Sequence, residues 1–225
     1  MTRAAEAAWR RWWGGVFAPD VIAREVAGDG AIADLVGARF DAGALAARER
    51  AGIAPLVDWW ALSAALACRH GAPMARDVAA ALGISESSAR RALGEAAAAG
   101  AVVRDGARFR TRADFRPVVA RAVAVELKLR DWPKALVQAE RYRDFADAAW
   151  VVLGAAGARA AYAACVERGV GLASLDADGA FRRVVAPRPR RPRRAEATAL
   201  LVGEQLLAQA ARAVRATSSD VALAH

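Results

Sequence analysis

The chain has 225 residues, 56% of them hydrophobic and 25% charged, with a formal net charge of +9. This is a globular composition with room for one large domain or two small ones, and it excludes a disordered chain. No apolar run of about 18 residues lacks charges, so no membrane span is expected. The opening MTRAAEAAWRRWW has no apolar core for a signal peptide, and a cytoplasmic protein is the expectation.

The positive balance suits a polyanionic partner. Residues 182–194, RRVVAPRPRRPRR, carry arginines and prolines and no acid. Proline excludes a helix there, leaving a solvated linker or a basic clamp on a phosphate backbone. Cys68 and Cys165 lie in apolar helical surroundings and read as buried thiols, neither a disulfide framework nor a metal cluster. Lys128 and Lys134 are the only lysines; every other basic residue of the 33 is arginine. Lysine in so arginine-biased a chain suggests a position that needs a compact ammonium group.

In chain order, Trp9, Trp12 and Trp13 give residues 4–13 the apolar face of a short helix. Val21–Val26 and Ala31–Phe40 read as strands around a Gly-Asp-Gly turn, and Ala44–Ala51 as a connecting helix. Residues 56–71, 74–83 and 86–100 read as three helices, the third started by Ser85. A hairpin turning at Asp105-Gly106 follows. From Arg121 a strand precedes a helix over Trp132–Asp147, whose stripe is Ala135, Leu136, Ala139, Tyr142 and Ala146. A buried strand at Trp150–Leu153 leads to a helix over Ala155–Arg168. Strands at Val170–Leu175 and Phe181–Ala186 and a last amphipathic helix over Glu196–Ala216 complete the chain. A mixed sheet with helices packed on it is expected, interrupted by the three-helix unit.

Residues 73–112 resemble a winged helix-turn-helix. The residues that carry the likeness are AxxVAAALGISESSARRALGEAAAAGAVVR from Ala75, with Gly83 at the turn, Leu93 in the third helix and Gly100 at its end. The resemblance implies that the third helix enters the major groove of DNA. Ser87, Ser88, Arg90 and Arg91 would then face bases or phosphates, with Arg104, Arg108 and Arg110 on the wing.

The strand Val123–Leu129, VAVELKL, alternates. Val123, Val125 and Leu127 point to a core, while Ala124, Glu126 and Lys128 share the other face. A carboxylate and an ammonium on such a strand must pair or bind a metal. Further on, Gln138 and Tyr142 are four apart on one helix face. This E-x-K followed by Q-x-x-x-Y resembles the RecB-type branch of the PD-(D/E)XK nucleases. Gly30-Ala-Ile-Ala-Asp34 resembles that family's (P)D motif, with Ala33 in place of proline. The rival is Asp114, closer to Glu126 in sequence but in an apparent loop, and Asp34 is preferred. Glu6 is a candidate extra carboxylate.

The resemblance implies an α/β fold: a restriction-endonuclease-like mixed sheet flanked by helices, with an inserted all-α-plus-wing winged-helix domain. Residues 1–43 and 116–187 would form the core, 44–115 the insertion, and 188–225 an Arg-rich linker and C-terminal helix. Asp34, Glu126 and the Leu127 carbonyl would hold Mg²⁺ (or Mn²⁺). Lys128 would position water or stabilise charge, Gln138 would orient Lys128 or a phosphate, and Tyr142 would support the helix. A DNA-cleaving enzyme is the expectation. The alternatives are a DNA-binding regulator on a silent nuclease-like scaffold, and a non-catalytic homo-oligomer joined through its Trp-rich first helix and C-terminal helix.

Overall fold

The alternating residues near the start of the chain form a hairpin of two strands, β1 (Val21–Gly28) and β2 (Ala31–Phe40), with Val21 opposite Ala38 and Gly28 opposite Ala31. In this computed structural model, residue 9 and residues 17–28, 30–128, 131–176, 178–189 and 196–222 are described, with side chains over 197–213 in the last segment. The next elements are α1 (Ala42–Arg50), α2 (Trp59–Ala67), α3 (Ala75–Leu82), α4 (Glu86–Ala98), β3 (Val102–Asp105) and β4 (Arg108–Thr111). Then come β5 (Val119–Leu127), α5 (Trp132–Tyr142), β6 (Ala148–Gly154), α6 (Ala155–Arg168), β7 (Gly171–Leu175), β8 (Phe181–Val185) and α7 (Glu196–Ala222). No described helix is long and apolar enough to cross a membrane.

The chain forms two compact units. Unit 1 comprises Met1–Arg39 and Val119–Arg194. Its sheet is six-stranded and mixed, in the order β1-β2-β5-β6-β7-β8. β5, β6 and β7 are parallel, and β8 returns antiparallel beside β7. The two parallel crossovers run through α5 and α6, which pack on the sheet and on each other. Val123, Val125, Trp150, Val152 and Ala173 face a core shared with Trp9, Phe17, Ile22 and Leu35. Trp9 meets the rings of Trp150 and Phe181 edge-on, with centroids 6.2 and 5.4 Å away. Two glycines are needed for close approach: a Cβ on Gly28 would sit 2.6 Å from the Phe145 ring, and one on Gly171 would sit 2.5 Å from Trp150.

Unit 2 comprises Phe40–Val118 and Ala195–His225. Helices α2, α3 and α4 bury Ala64, Cys68, Val78, Ala79, Ala89, Ala92 and Leu93 among themselves. The hairpin β3–β4 pairs antiparallel, with Asp105 opposite Arg108. A second cluster unites Ile53, Leu62, Ala96, Val102 and Phe115 with Leu200 of α7. Residues 196–222 are therefore part of this unit rather than a separate tail.

Some expected boundaries move. The α5 helix ends at Tyr142, not Asp147, because Asp147 is drawn to β5: its N–H donates to Ala122 O at 2.9 Å, and its carboxylate accepts from Ala122 N–H at 2.7 Å. The α2 helix starts at Trp59, where Asp58 caps it by accepting from Ala61 N–H at 2.8 Å. The expected helix over 4–13, apart from Trp9, lies outside the described residues, and Glu6 with it.

Candidate active site

Alternation on β5 decides which side chains reach the site. Val123 and Val125 enter the core, and Leu127 packs against it. Glu126 faces the opposite way, on the sheet face covered by α5, and is 1% exposed. On the neighbouring strand β2, Ala33 and Leu35 are buried and Asp34 between them is half-buried. Asp34 Oδ2 accepts a hydrogen bond from the Leu127 backbone N–H at 2.7 Å. Residues 93 apart in sequence thus meet at the residue next to Glu126.

A buried carboxylate needs partners. The Lys128 ammonium lies 2.9 Å from Glu126 Oε1. Beyond this ion pair, Oε1 has no hydrogen bond of good geometry among the described residues. The other oxygen, Oε2, is bonded to the Tyr142 hydroxyl, which also donates to Ile32 O at 2.7 Å. One hydroxyl proton serves both acceptors; a proton on Glu126 would give each its own. Burial pushes the Glu126 carboxyl above the usual range, Tyr142 and Lys128 pull it back, and Asp34 adds to the rise. The hydrogen bond to Glu126, helped by the charges of Glu126, Asp34 and Asp131, outweighs partial burial and raises Lys128, which stays cationic. Burial, then the bond to Glu126, drives the Tyr142 hydroxyl well above the tyrosine range. Tyr142 therefore acts here as a neutral hydrogen-bond donor.

Gln138 sits one helical turn before Tyr142 on α5, and its Oε1 is buried without a hydrogen-bond partner among the described residues. An unsatisfied buried amide oxygen is costly and marks a place where a ligand or ion-bound water would be welcome.

Comparison of the chain with family models, with curated proteins and with solved structures yields no match. Its own geometry must carry the reading.

That geometry gathers Asp34, Glu126, Leu127, Lys128 and Tyr142. The side-chain donors are two carboxylates, Asp34 and Glu126; no group of three or more His, Cys, Asp or Glu arranged for a metal occurs among the described residues. Such a set fits Mg²⁺, which keeps several waters and uses one or two carboxylates. Asp114 belongs to unit 2, in the turn after β4, while Glu126 belongs to unit 1. Neither cysteine is a nucleophile: both are buried, and burial pushes each thiol up to about 11.

The residues expected to contact DNA are in unit 2. Ser85 caps α4, accepting from Ser88 N–H at 3.2 Å, and its hydroxyl bonds those of Ser87 and Ser88. Arg90 and Arg91 are exposed on the second turn of α4. Arg90 is paired with Glu86 one turn back at 2.5 Å, which offsets its charge. Arg104, Arg108 and Arg110 are exposed on the hairpin; Arg104 donates to Gly106 O and Arg108 to Ala72 O, both at 2.8 Å.

Two features escape sequence reasoning. Arg24 pairs with Leu35 and Val26 with Ala33, so Glu25 stands across from Asp34, and it does so with φ 52°. That left-handed conformation is strained for a residue with a side chain. In unit 2, Arg48 and Glu204 form a buried two-pronged pair, both bonds 2.6 Å, and are 2% and 1% exposed. The Glu204 carboxylate also accepts from Leu56 N–H at 2.6 Å. Arg48 donates to Ala54 O and lies over the Phe115 ring.

Proposed function

We propose that this protein is a Mg²⁺-dependent phosphodiesterase that cuts DNA, with a PD-(D/E)XK nuclease core in unit 1 and an inserted winged helix-turn-helix in unit 2. The observation that carries the proposal is the meeting of Asp34, Glu126 and Lys128 on the neighbouring strands β2 and β5. A structural ion pair alone would not need a second carboxylate beside it. When bound, Mg²⁺ would neutralise phosphate charge and acidify a water. Asp34 and Glu126 would hold it, with the Leu127 carbonyl. Hydrogen bonds from Leu127 N–H to Asp34 and from Tyr142 to Glu126 fix both carboxylates in place. Lys128 is cationic and 35% exposed, so its ammonium can turn toward a phosphate oxygen or an attacking water. Gln138 would give its unpartnered carbonyl oxygen to that water or to Lys128.

Unit 2 supports the DNA half of the reading. Three short helices followed by a two-stranded hairpin, with serines and arginines exposed on the early turns of the third helix, suit the major groove. One observation favours a silent scaffold instead: both oxygens of Glu126 are already engaged, by Lys128 and by Tyr142.

The test is incubation of the full chain with linear, circular and branched DNA in Mg²⁺, Mn²⁺ or EDTA. Cleavage should need the metal and be abolished by Glu126→Ala. Lys128→Arg should cut poorly, because a planar guanidinium does not replace a compact ammonium. No cleavage of any substrate would leave the silent scaffold as the better reading.

A further inference from the structure

The same sheet carries a second feature at the edge where Glu126 lies. β5, β6 and β7 are parallel, with Leu127 paired to Val152 and Leu153 to Ser174. The row that continues from Lys128 therefore passes through Leu153 to Ser174, two strands away, or roughly 10 Å at ordinary strand spacing. Ser174 lies two residues beyond Leu172, which shares the row of Glu126 and Val151, so alternation puts it on the same face. There an open pocket of about 520 Å³ lies between α6 and the β7–β8 edge, lined by Ala155, Ala158, Arg159, Tyr162, Ser174 and Val184.

The pocket's chemistry is mixed in a definite way. Ser174 is a buried polar residue, 8% exposed, and it lines this pocket. Ala155 opens α6, whose N-cap Gly154 supplies no side-chain cap, so the first-turn amides offer donors to an anion. Arg159 adds a cation one turn on. Tyr162, a further turn along the same face, is an aromatic ring left 51% exposed. Ala155, Ala158 and Val184 are small enough to leave the space open. A flat ring, a hydroxyl, a guanidinium and a helix N-terminus around an apolar floor match one nucleotide: base, sugar edge and phosphate.

We infer that this pocket holds one unpaired nucleotide of the DNA strand whose phosphodiester lies at the Asp34–Glu126 site. The inference rests on the proposed function and narrows its substrate to DNA with a single-stranded or extruded nucleotide next to a duplex. Tyr162 stacks the base, Ser174 Oγ bonds its edge, and Arg159 with the first turn of α6 holds its phosphate. A paired base cannot enter, so the pocket discriminates against blunt, intact duplex.

The test uses the full chain in EDTA, so that it reads binding alone. The probes are a blunt hairpin duplex and the same duplex with a short overhang carrying 2-aminopurine. Wild type should bind the overhang form more tightly, by roughly fivefold to a hundredfold from one stacked base, and quench its fluorescence. Tyr162→Ala should lose both effects and keep its affinity for the blunt duplex. Tyr162→Phe should retain both, and Ser174→Ala should lose part of the preference. Equal binding of both probes by wild type, or an unchanged preference in Tyr162→Ala, overturns the inference. So does saturation of the pocket by free AMP without any preference for the overhang. A protein that cuts nothing yet prefers the overhang through Tyr162 upholds the pocket and counts against the nuclease reading alone.

Discussion

The Lys128 ammonium lies 2.9 Å from Glu126 Oε1, and the carboxylate it meets is 1% exposed. The ammonium offsets only part of the burial cost, so the folded protein still holds the Glu126 proton more tightly than the unfolded chain does. A raised carboxyl contributes stability below its unfolded pKa, and that stability is lost as pH rises through the folded pKa. Wild type should therefore lose ground to Glu126→Gln as pH rises from about 4 toward neutrality without divalent metal, since glutamine has no charge to bury. Melting curves of both proteins across this range check it; a constant difference in Tm would contradict it. Added Mg²⁺ should raise the Tm of wild type at neutral pH and leave Glu126→Gln unmoved.

The strain at Glu25 is a separate matter. Glycine adopts positive φ freely, so Glu25→Gly should stabilise the protein by about 1 kcal/mol. Urea denaturation measures this. If the carboxylate opposite Asp34 also serves the reaction, the same variant will be more stable and less active; equal activity assigns the strain to the strand alone.

In unit 2, removing either partner of the Arg48–Glu204 pair leaves a buried charge alone. Arg48→Met or Glu204→Leu should each cost about 3–5 kcal/mol. The double variant should recover much of that loss, because it removes both desolvation penalties. A double-mutant cycle by denaturant melts reads the coupling, and additive losses would refute it.

On α4, Glu86 is paired with Arg90 and would compete with DNA for it. Glu86→Ala should tighten duplex binding, and Arg91→Ala should weaken it and lower the salt slope by about 0.9. Titrations at several salt concentrations decide. An unchanged slope in Arg91→Ala would remove this residue from the phosphate contacts.

Much of the sheet was legible in the amino-acid order because its information is local. The alternation of Val123, Val125 and Leu127 against Glu126 set the faces of β5, and α6 has the expected bounds Ala155–Arg168. Asp34 could be brought to Glu126 only by likeness to a motif, since no local pattern spans the separation of 93 positions from Asp34 to Leu127. The early end of α5 was hidden for a related reason. The helical stripe runs on to Ala146, yet backbone pairing between Asp147 and Ala122 takes the chain out of the helix first. Ser174 gave no signal at all, because its burial depends on α6 packing over the end of β7.

The Arg48–Glu204 pair spans 156 residues, and unit 1 is itself split around unit 2. Neither unit is a contiguous stretch of chain. As the polypeptide leaves the ribosome, Arg48 emerges long before the helix that neutralises it, and β2 waits for β5 until all of residues 40–118 have appeared. The two units must therefore mature late and nearly together, with little chance for the first to finish while the second is being made. Cutting the gene at either boundary would yield fragments lacking a strand neighbour or a counter-charge, so a minimal version of either unit must be built by joining its two pieces.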